Sequence, residues 1–255
     1  MNWDQFSAMM GGFDPIVTFG LLAASFGASF ITVAFGIGGG ALLLAIMASL
    51  MPPLALIPVH GAIQLGSNLF RALLLVTHVH WPPVLSFAIG TLIGVSLGGM
   101  VAVNLPPAFV QIGVGVFVIY SVLLRPPAWL SAWPSFTGAF SSFLTMFFGA
   151  TGVFVANFSK SLSLPRQEHV ATHATLMTLQ HLLKILAFGV LGFAFGPWAI
   201  FTLSMIAAGF LGTVAGRVLL IRMSDTGFKK ALDAILILVS LRLIWNGATS
   251  FFGIG

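Results

Sequence analysis

The chain contains no cysteine. Disulfides, iron–sulfur ligation and thiol catalysis are excluded, although the absence says little about compartment. Charge is almost as scarce: Asp and Glu number five, Lys and Arg ten, and together they make up 6% of 255 residues, against about 25% in ordinary soluble domains. So few charges cannot cover a water-exposed surface, and 58% of the residues are hydrophobic. The apolar residues form runs of spanning length, roughly 20 residues each, almost from end to end. The chain therefore reads as an all-α polytopic membrane protein with no soluble domain. Early basic residues are also lacking, since the N-terminus carries Asp4 and Asp14 without a nearby Lys or Arg, unlike a cleaved signal peptide. The net charge of +5 comes mainly from loops, so it reports membrane orientation and not nucleic-acid binding.

What is present is a duplication. The run S-F-I-T-V-A-F-G-I-G-G at Ser29 to Gly39 returns as S-F-L-T-M-F-F-G-A-T-G at Ser142 to Gly152, a shift of 113 residues. The same shift places Pro52 on Pro165, His60 on His173, Leu69 on Leu182 and Arg71 on Lys184. Internal duplication in an apolar chain is a signature of secondary transporters, whose cargo site lies between two repeats near the bilayer midplane.

Helices are expected at Pro15 to Phe35, Ala41 to Leu50, Pro53 to about His78, Trp81 to Asn104 and Pro107 to Leu124. A glycine break at Gly36 to Gly40 separates the first two. The second half repeats the order, with helices at about Trp133 to Phe148, Val153 to Leu162, Arg166 to Phe193, Pro197 to Arg222 and Asp225 to Phe251, and a break at Gly149 to Gly152. This makes residues 1–124 repeat 1, 125–132 a cytoplasmic linker and 133–255 repeat 2. The Ala41 to Leu50 segment is about 15 Å long at 1.5 Å per residue, half a hydrocarbon core. A glycine break followed by a half-length helix suggests a broken or re-entrant segment, tolerated at membrane depth only where it is buried or lines a cavity. An ordinary tight turn between two spans is the alternative.

Basic residues orient the chain. Lys160 and Arg166 flank one loop, Arg217, Arg222, Lys229 and Lys230 crowd another two crossings later, and Arg125 lies in the linker, whereas the loops near Met51 and Asn104 are uncharged. Counting five segments per half puts all the charged loops on the cytoplasmic face. The repeats are then inverted, with both termini outside. A parallel arrangement with four spans per half would put Arg125 outside. Trp81, Trp129, Trp133, Trp198 and Trp245 near helix ends suit interfacial anchoring. Gly90, Gly94 and Gly98, and Gly212 and Gly216, have the spacing that lets helix backbones approach closely, within the chain or in a homodimer.

Chemistry is confined to a few positions. His60, Gln64, Ser67 and Arg71 have offsets of 4, 7 and 11, which fall within about 60° of helical arc, so they form one polar stripe. His173, Met177, Gln180 and Lys184 repeat it, with only the second position apolar. Ionisable groups inside spanning helices normally face a cavity, partner or path, although long stems also snorkel to the interface. Asp233 is the sole acidic candidate to answer these charges, and an excess of basic groups favours anionic cargo. Gly38, Gly39 and Gly40 precede one half-helix, and Thr151 and Gly152 the other. Each would offer free backbone N–H groups and the positive end of a dipole, which bind oxyanions. Ser29 and Thr32, with Ser142 and Thr145, stand one and two turns before the breaks, and either contact the cargo or bond back to helical carbonyls. Asn68 and His181 lie about 100° from the stripes and read as inter-helix contacts. His60 and His173 either carry coupled protons or stay neutral and hydrogen-bonded. The pairs His169/His173 and His78/His80 lack further ligands, so no metal and no cofactor is expected. No serine-nucleophile motif is present, which leaves an intramembrane hydrolase without support.

The duplicated F-G-x-x-G break at Phe35-Gly36-Ile37-Gly38-Gly39-Gly40 and Phe148-Gly149-Ala150-Thr151-Gly152, followed by a Pro and a helix with a basic residue, resembles the TauE/SafE family of bacterial permeases, or sulfite exporters. The resemblance covers essentially the whole chain. It implies a carrier in the inner membrane for small sulfur oxyanions or organosulfonates. Val153 opposite Gly40 and Met177 opposite Gln64 depart from a strict repeat and imply a less symmetric grip. Three functions follow as expectations: a sulfite or short-sulfonate transporter working by alternating access, a carrier or channel for another small anion such as a carboxylate, and a membrane enzyme or structural subunit.

Overall fold

The computed structural model describes residues 2–35, 38–102, 106–124, 127–219 and 225–253, with side chains at all of these except 34–35, 128, 217–219 and 225–232. Among the described residues the chain is all helical. Its helices are α1 (Trp3–Met9), α2 (Pro15–Phe35), α3 (Gly39–Leu50), α4 (Pro53–Leu74), α5 (Val84–Ala102), α6 (Pro107–Leu123), α7 (Pro134–Phe148), α8 (Gly152–Ser161), α9 (Arg166–Val190), α10 (Ala199–Leu219) and α11 (Asp225–Phe252). Prolines set many of the starts. Pro15, Pro53, Pro107 and Pro134 occupy first helical positions, where a missing N–H costs nothing. Four segments, Pro15–Val33, Val84–Ala102, Gly196–Gly216 and Asp233–Phe252, are long and apolar enough to cross a membrane. The protein is a multi-pass membrane protein.

The expected helices are present with shifted ends. The 53–78 segment is helical to Leu74 and then forms a 3₁₀ turn at Val76–His78, and Ala199 follows a similar turn at Gly196–Trp198. Within the linker, Ala128–Ser131 is also a 3₁₀ turn. The short helix α1 was not anticipated. It is nucleated by a capping box in which Asn2 Oδ1 accepts from the Gln5 backbone N–H at 2.8 Å and Gln5 Oε1 accepts from the Asn2 N–H at 3.1 Å, a pattern readable as N-x-x-Q.

Four pairs dominate the packing: α2 with α10, α5 with α7, α4 with α9 and α6 with α11. Under the duplication α2 corresponds to α7 and α5 to α10, so the first two pairs are one contact made twice with the halves exchanged. The other two join a helix to its own copy. The halves interlock, and neither buries its apolar surface alone. Glycine makes the exchanged contacts possible. A Cβ on Gly90 or Gly94 of α5 would strike the carbonyl oxygens of Ser135 or Ala139 on α7, and one on Gly212 of α10 would strike that of Phe26 on α2. These glycine stripes are thus occupied by contacts within the chain, which removes the sequence argument for a homodimer. They also reveal a register change. Ala139 is the counterpart of Phe26 at 113 residues, yet their partners Gly94 and Gly212 are 118 apart, so α5 and α10 correspond with five extra residues.

Trp81, Trp129, Trp133 and Trp245 are exposed, whereas Trp198 packs against Phe13 and Phe201. Of the orienting basic residues, Lys160 and Arg166 are exposed. Arg125 and Arg222, and the side chains of Arg217, Lys229 and Lys230, lie outside the described residues, as do Gly36, Ile37 and Asn104.

Candidate functional site

Both glycine breaks are real discontinuities in the backbone. Gly38 (φ +106°) precedes α3, and Gly149 (φ +74°) ends α7. Both lie in the left-handed region, which a side chain disfavours. The half-helices begin earlier than their sequence suggests, with Gly39 and Gly40 in the first turn of α3 and Gly152 in the first turn of α8. Glycine is a poor helix former, but the turn is closed by Leu42 N–H donating to the Gly38 carbonyl at 3.0 Å. Among the described residues neither α3 nor α8 has a side-chain cap, and the first N–H groups of each have no intrahelical acceptor. At 12 and 10 residues the two helices measure about 18 and 15 Å, too short to cross a 30 Å core.

The first break opens onto a small cavity between α2, α3, α4 and α10. Ser29 and Thr32 of α2, Gly39 and Gly40 of α3, and Gln64 and Ser67 of α4 line it, together with Ser25 and Gly209. Thr32 donates to the Ala28 carbonyl at 2.9 Å and Ser25 to that of Met205 at 2.7 Å. The α4 stripe is continuous. His60 Nε2 stands 3.1 Å from the Gly40 carbonyl oxygen, Gln64 and Ser67 face the cavity, and Arg71 Nη2 donates to Ser67 Oγ at 3.3 Å. Asn68 Nδ2 donates to the Gln64 carbonyl at 2.8 Å, off the cavity.

The second break is built differently. Gln180 Nε2 donates to Thr151 Oγ1 at 3.1 Å and approaches Ser141 Oγ at 3.4 Å, while Thr145 Oγ1 donates to the Gly149 carbonyl at 3.1 Å. Ser141, Ser142, Thr145, Thr151 and Gln180 are all fully buried.

Lys184 lies where α9 packs on α4, against Gly61. Lys184 is fully buried between the two helices and does not snorkel, and its Nζ has no hydrogen-bond partner among the described residues. His173, the counterpart of His60, is partly buried on α9, and its Nε2 has no partner among the described residues. The His60 and His181 rings stand edge to face with centroids 6.5 Å apart, and neither nitrogen of His181 has a partner among the described residues. The side chains foreseen from the sequence therefore fall into three groups: the lined cavity, the sealed second break and the α4–α9 crossing.

Sequence reasoning missed Ser25, Ser141 and Gly209 and undervalued His181. Ser25 and Ser141 were legible as further hydroxyls one turn before those singled out. Gly209 had no sequence signal of its own. Among the described residues, no three His, Cys, Asp or Glu side chains converge as a metal site. The arrangement offers hydroxyls, amides and the basic groups of Arg71 and Lys184, donors that suit an anion.

The family model described as Sulfite exporter TauE/SafE matches residues 21–243. Searches of curated proteins and of solved structures return no match.

Proposed function

The chain belongs to the Sulfite exporter TauE/SafE family, and from that membership we propose that it is a secondary transporter carrying a small sulfur oxyanion or organosulfonate, such as sulfite or a sulfoacetate-like anion, outward across the bacterial inner membrane. The anion is bound near the midplane between the two breaks, where an uncapped half-helix end and the polar stripe beside it supply N–H, hydroxyl and amide donors. Arg71 and Lys184 supply compensating charge. The single observation that carries this reading is Lys184, a basic side chain with no exposed surface and no partner for its Nζ among the described residues. Burying an unpaired cation costs several kcal/mol, and an anionic cargo is the natural counter-charge for it.

In this proposal the two repeats have inverted topology, both termini face the periplasm, and the halves exchange roles to open each face in turn. Charge-assisted hydrogen bonds to three oxygens of one sulfur centre favour sulfite and sulfonates over neutral analogues.

Purified protein in proteoliposomes should show saturable flux of sulfite or a short sulfonate. Arg71→Ala and Lys184→Ala should each abolish most of it, and unchanged flux in both would remove the charge assignment. A thermal-shift panel of sulfite, sulfonates, sulfate and carboxylates identifies the cargo, since a ligand that binds only the folded state raises its apparent stability. A shift with carboxylates alone would replace the sulfur anion by another small anion.

A further inference from the structure

Resting on the anion-carrier reading above, we infer that the two halves are not equivalent: the oxyanion is held by the first half-cleft alone, through Ser29, Gln64, Ser67 and the amide end of α3. The matching cleft of the second half is filled and serves as a strut.

The first half-cleft has unused hydrogen-bonding capacity. Ser29 is more than nine-tenths buried and lines the cavity. Unlike Ser25 and Thr32, whose hydroxyls donate to backbone carbonyls, Ser29 has no hydrogen bond of its own among the described residues. Gln64 and Ser67 are half-buried and line the same space. Gly40 keeps the wall thin, since a Cβ there would strike Gln64 Nε2. Arg71 reaches the cleft through Ser67. Donors that are unsatisfied and reachable from a cavity are what an oxyanion needs, because its oxygens then bind without displacing an internal bond.

The second half carries the opposite substitutions. Val153 stands for Gly40, Met177 for Gln64 and Gln180 for Ser67 at the 113-residue shift, and Thr91 for Gly209 at the 118-residue register of α5 and α10. Each replacement is larger. A Cβ on Gly152 would lie 3.3 Å from Met177 Cε, so the methionine already occupies the amide end of α8. The Gln180 amide is committed to Thr151 and Ser141. Ser142, the counterpart of Ser29, also lacks a hydrogen-bond partner among the described residues, but it has no exposed surface, whereas Ser29 lines a cavity.

The open cleft, walled in part by α2 and α10, has room for about one water as it stands, so it has to widen to admit an anion. Gly209 is where those walls meet: a Cβ there would stand 2.8 Å from Ser29 Oγ and 3.2 Å from Ser25 Oγ. Glycine at this position thus keeps the Ser29 hydroxyl accessible, and Thr91 has no counterpart role.

The test is calorimetric titration of the purified full chain with sulfite and with ethanesulfonate, alongside flux in proteoliposomes. Ser29→Ala, Gln64→Met and Gly209→Ala should each raise Kd roughly tenfold or more, the loss expected for hydrogen bonds to a charged ligand. Met177→Gln and Thr91→Ala should leave Kd within about twofold, as for sites without contact. Should Gly209→Ala fail to fold, Ser29→Ala, which removes one atom, still decides the matter. Comparable losses from the second-half variants, or none from Ser29→Ala and Gln64→Met, would overturn the one-sided site while leaving the carrier intact. Absence of both binding and flux in the unsubstituted protein would overturn the carrier reading and this inference with it.

Discussion

A Cβ built on Gly61 would stand 3.1 Å from Nζ of Lys184, so the α4 backbone itself seats the buried amine of α9. Any side chain at position 61 contests that seat. The contested neighbour is the end of a flexible side chain, which moves more cheaply than backbone. Gly61→Ala should therefore displace the Lys184 head with a stability loss of about 1 kcal/mol or less. Transport kinetics should show a raised KM for the anion at nearly unchanged melting temperature. An unaltered KM would mean that the position of the amine is immaterial to cargo.

Lys184 also sets stability against function. With no partner for Nζ among the described residues, its charge is carried at a desolvation cost that an apolar residue of similar length avoids. Lys184→Met should raise the melting temperature in detergent, by the equivalent of about 1 kcal/mol or more, while flux falls to background. Retained flux, or a fall in melting temperature, would show that the amine is stabilised within the resting fold and is not held for an anion.

Much of this architecture is legible in the sequence, and the limits are physical. Apolar runs locate every helix except the short α1, because length and hydropathy decide what can enter a bilayer. The duplication marks the two breaks, and glycine at Gly38 and Gly149 allows the left-handed backbone there. Helix ends were less visible: Gly39 and Gly40 join α3 despite poor propensity, as tertiary context overrides it. The pairing of α2 with α10 and α5 with α7 is a property of the assembled fold, and single-helix periodicity carries no information about it. His181 shows the same limit. It lies off the polar stripe by one residue, yet the α4–α9 crossing buries a face broad enough to bring it opposite His60. Conversely, the departures at Val153 and Met177 were visible as substitutions, but only the filled second break shows what they do.

The exchanged glycine contacts predict matched sensitivities. A Cβ at Gly94 would meet the Ala139 carbonyl, and one at Gly212 the Phe26 carbonyl. Since the obstacle in both cases is backbone, the helices must separate, and overpacking of this kind costs about 1–3 kcal/mol. Gly94→Ala and Gly212→Ala should lower the melting temperature by similar amounts. Gly20→Ala, where nothing lies within 4 Å of the added carbon, should have no comparable effect. A large difference between Gly94→Ala and Gly212→Ala would break the correspondence of the two contacts.

Because the chain has no cysteine, single introduced thiols report topology directly. Gln5, Pro127 and Ser163 are exposed, at α1, in the linker and in the turn after α8. With five membrane segments per half and inverted repeats, Gln5→Cys should react with an impermeant maleimide added to intact cells. Pro127→Cys and Ser163→Cys should react only after the membrane is opened, in agreement with the basic residues Lys160 and Arg166 beside the second loop. A parallel arrangement with four spans per half places position 127 on the same side as position 5. Labelling of Pro127→Cys from outside would therefore reject inversion, and with it the exchange of roles on which alternating access by these two halves depends.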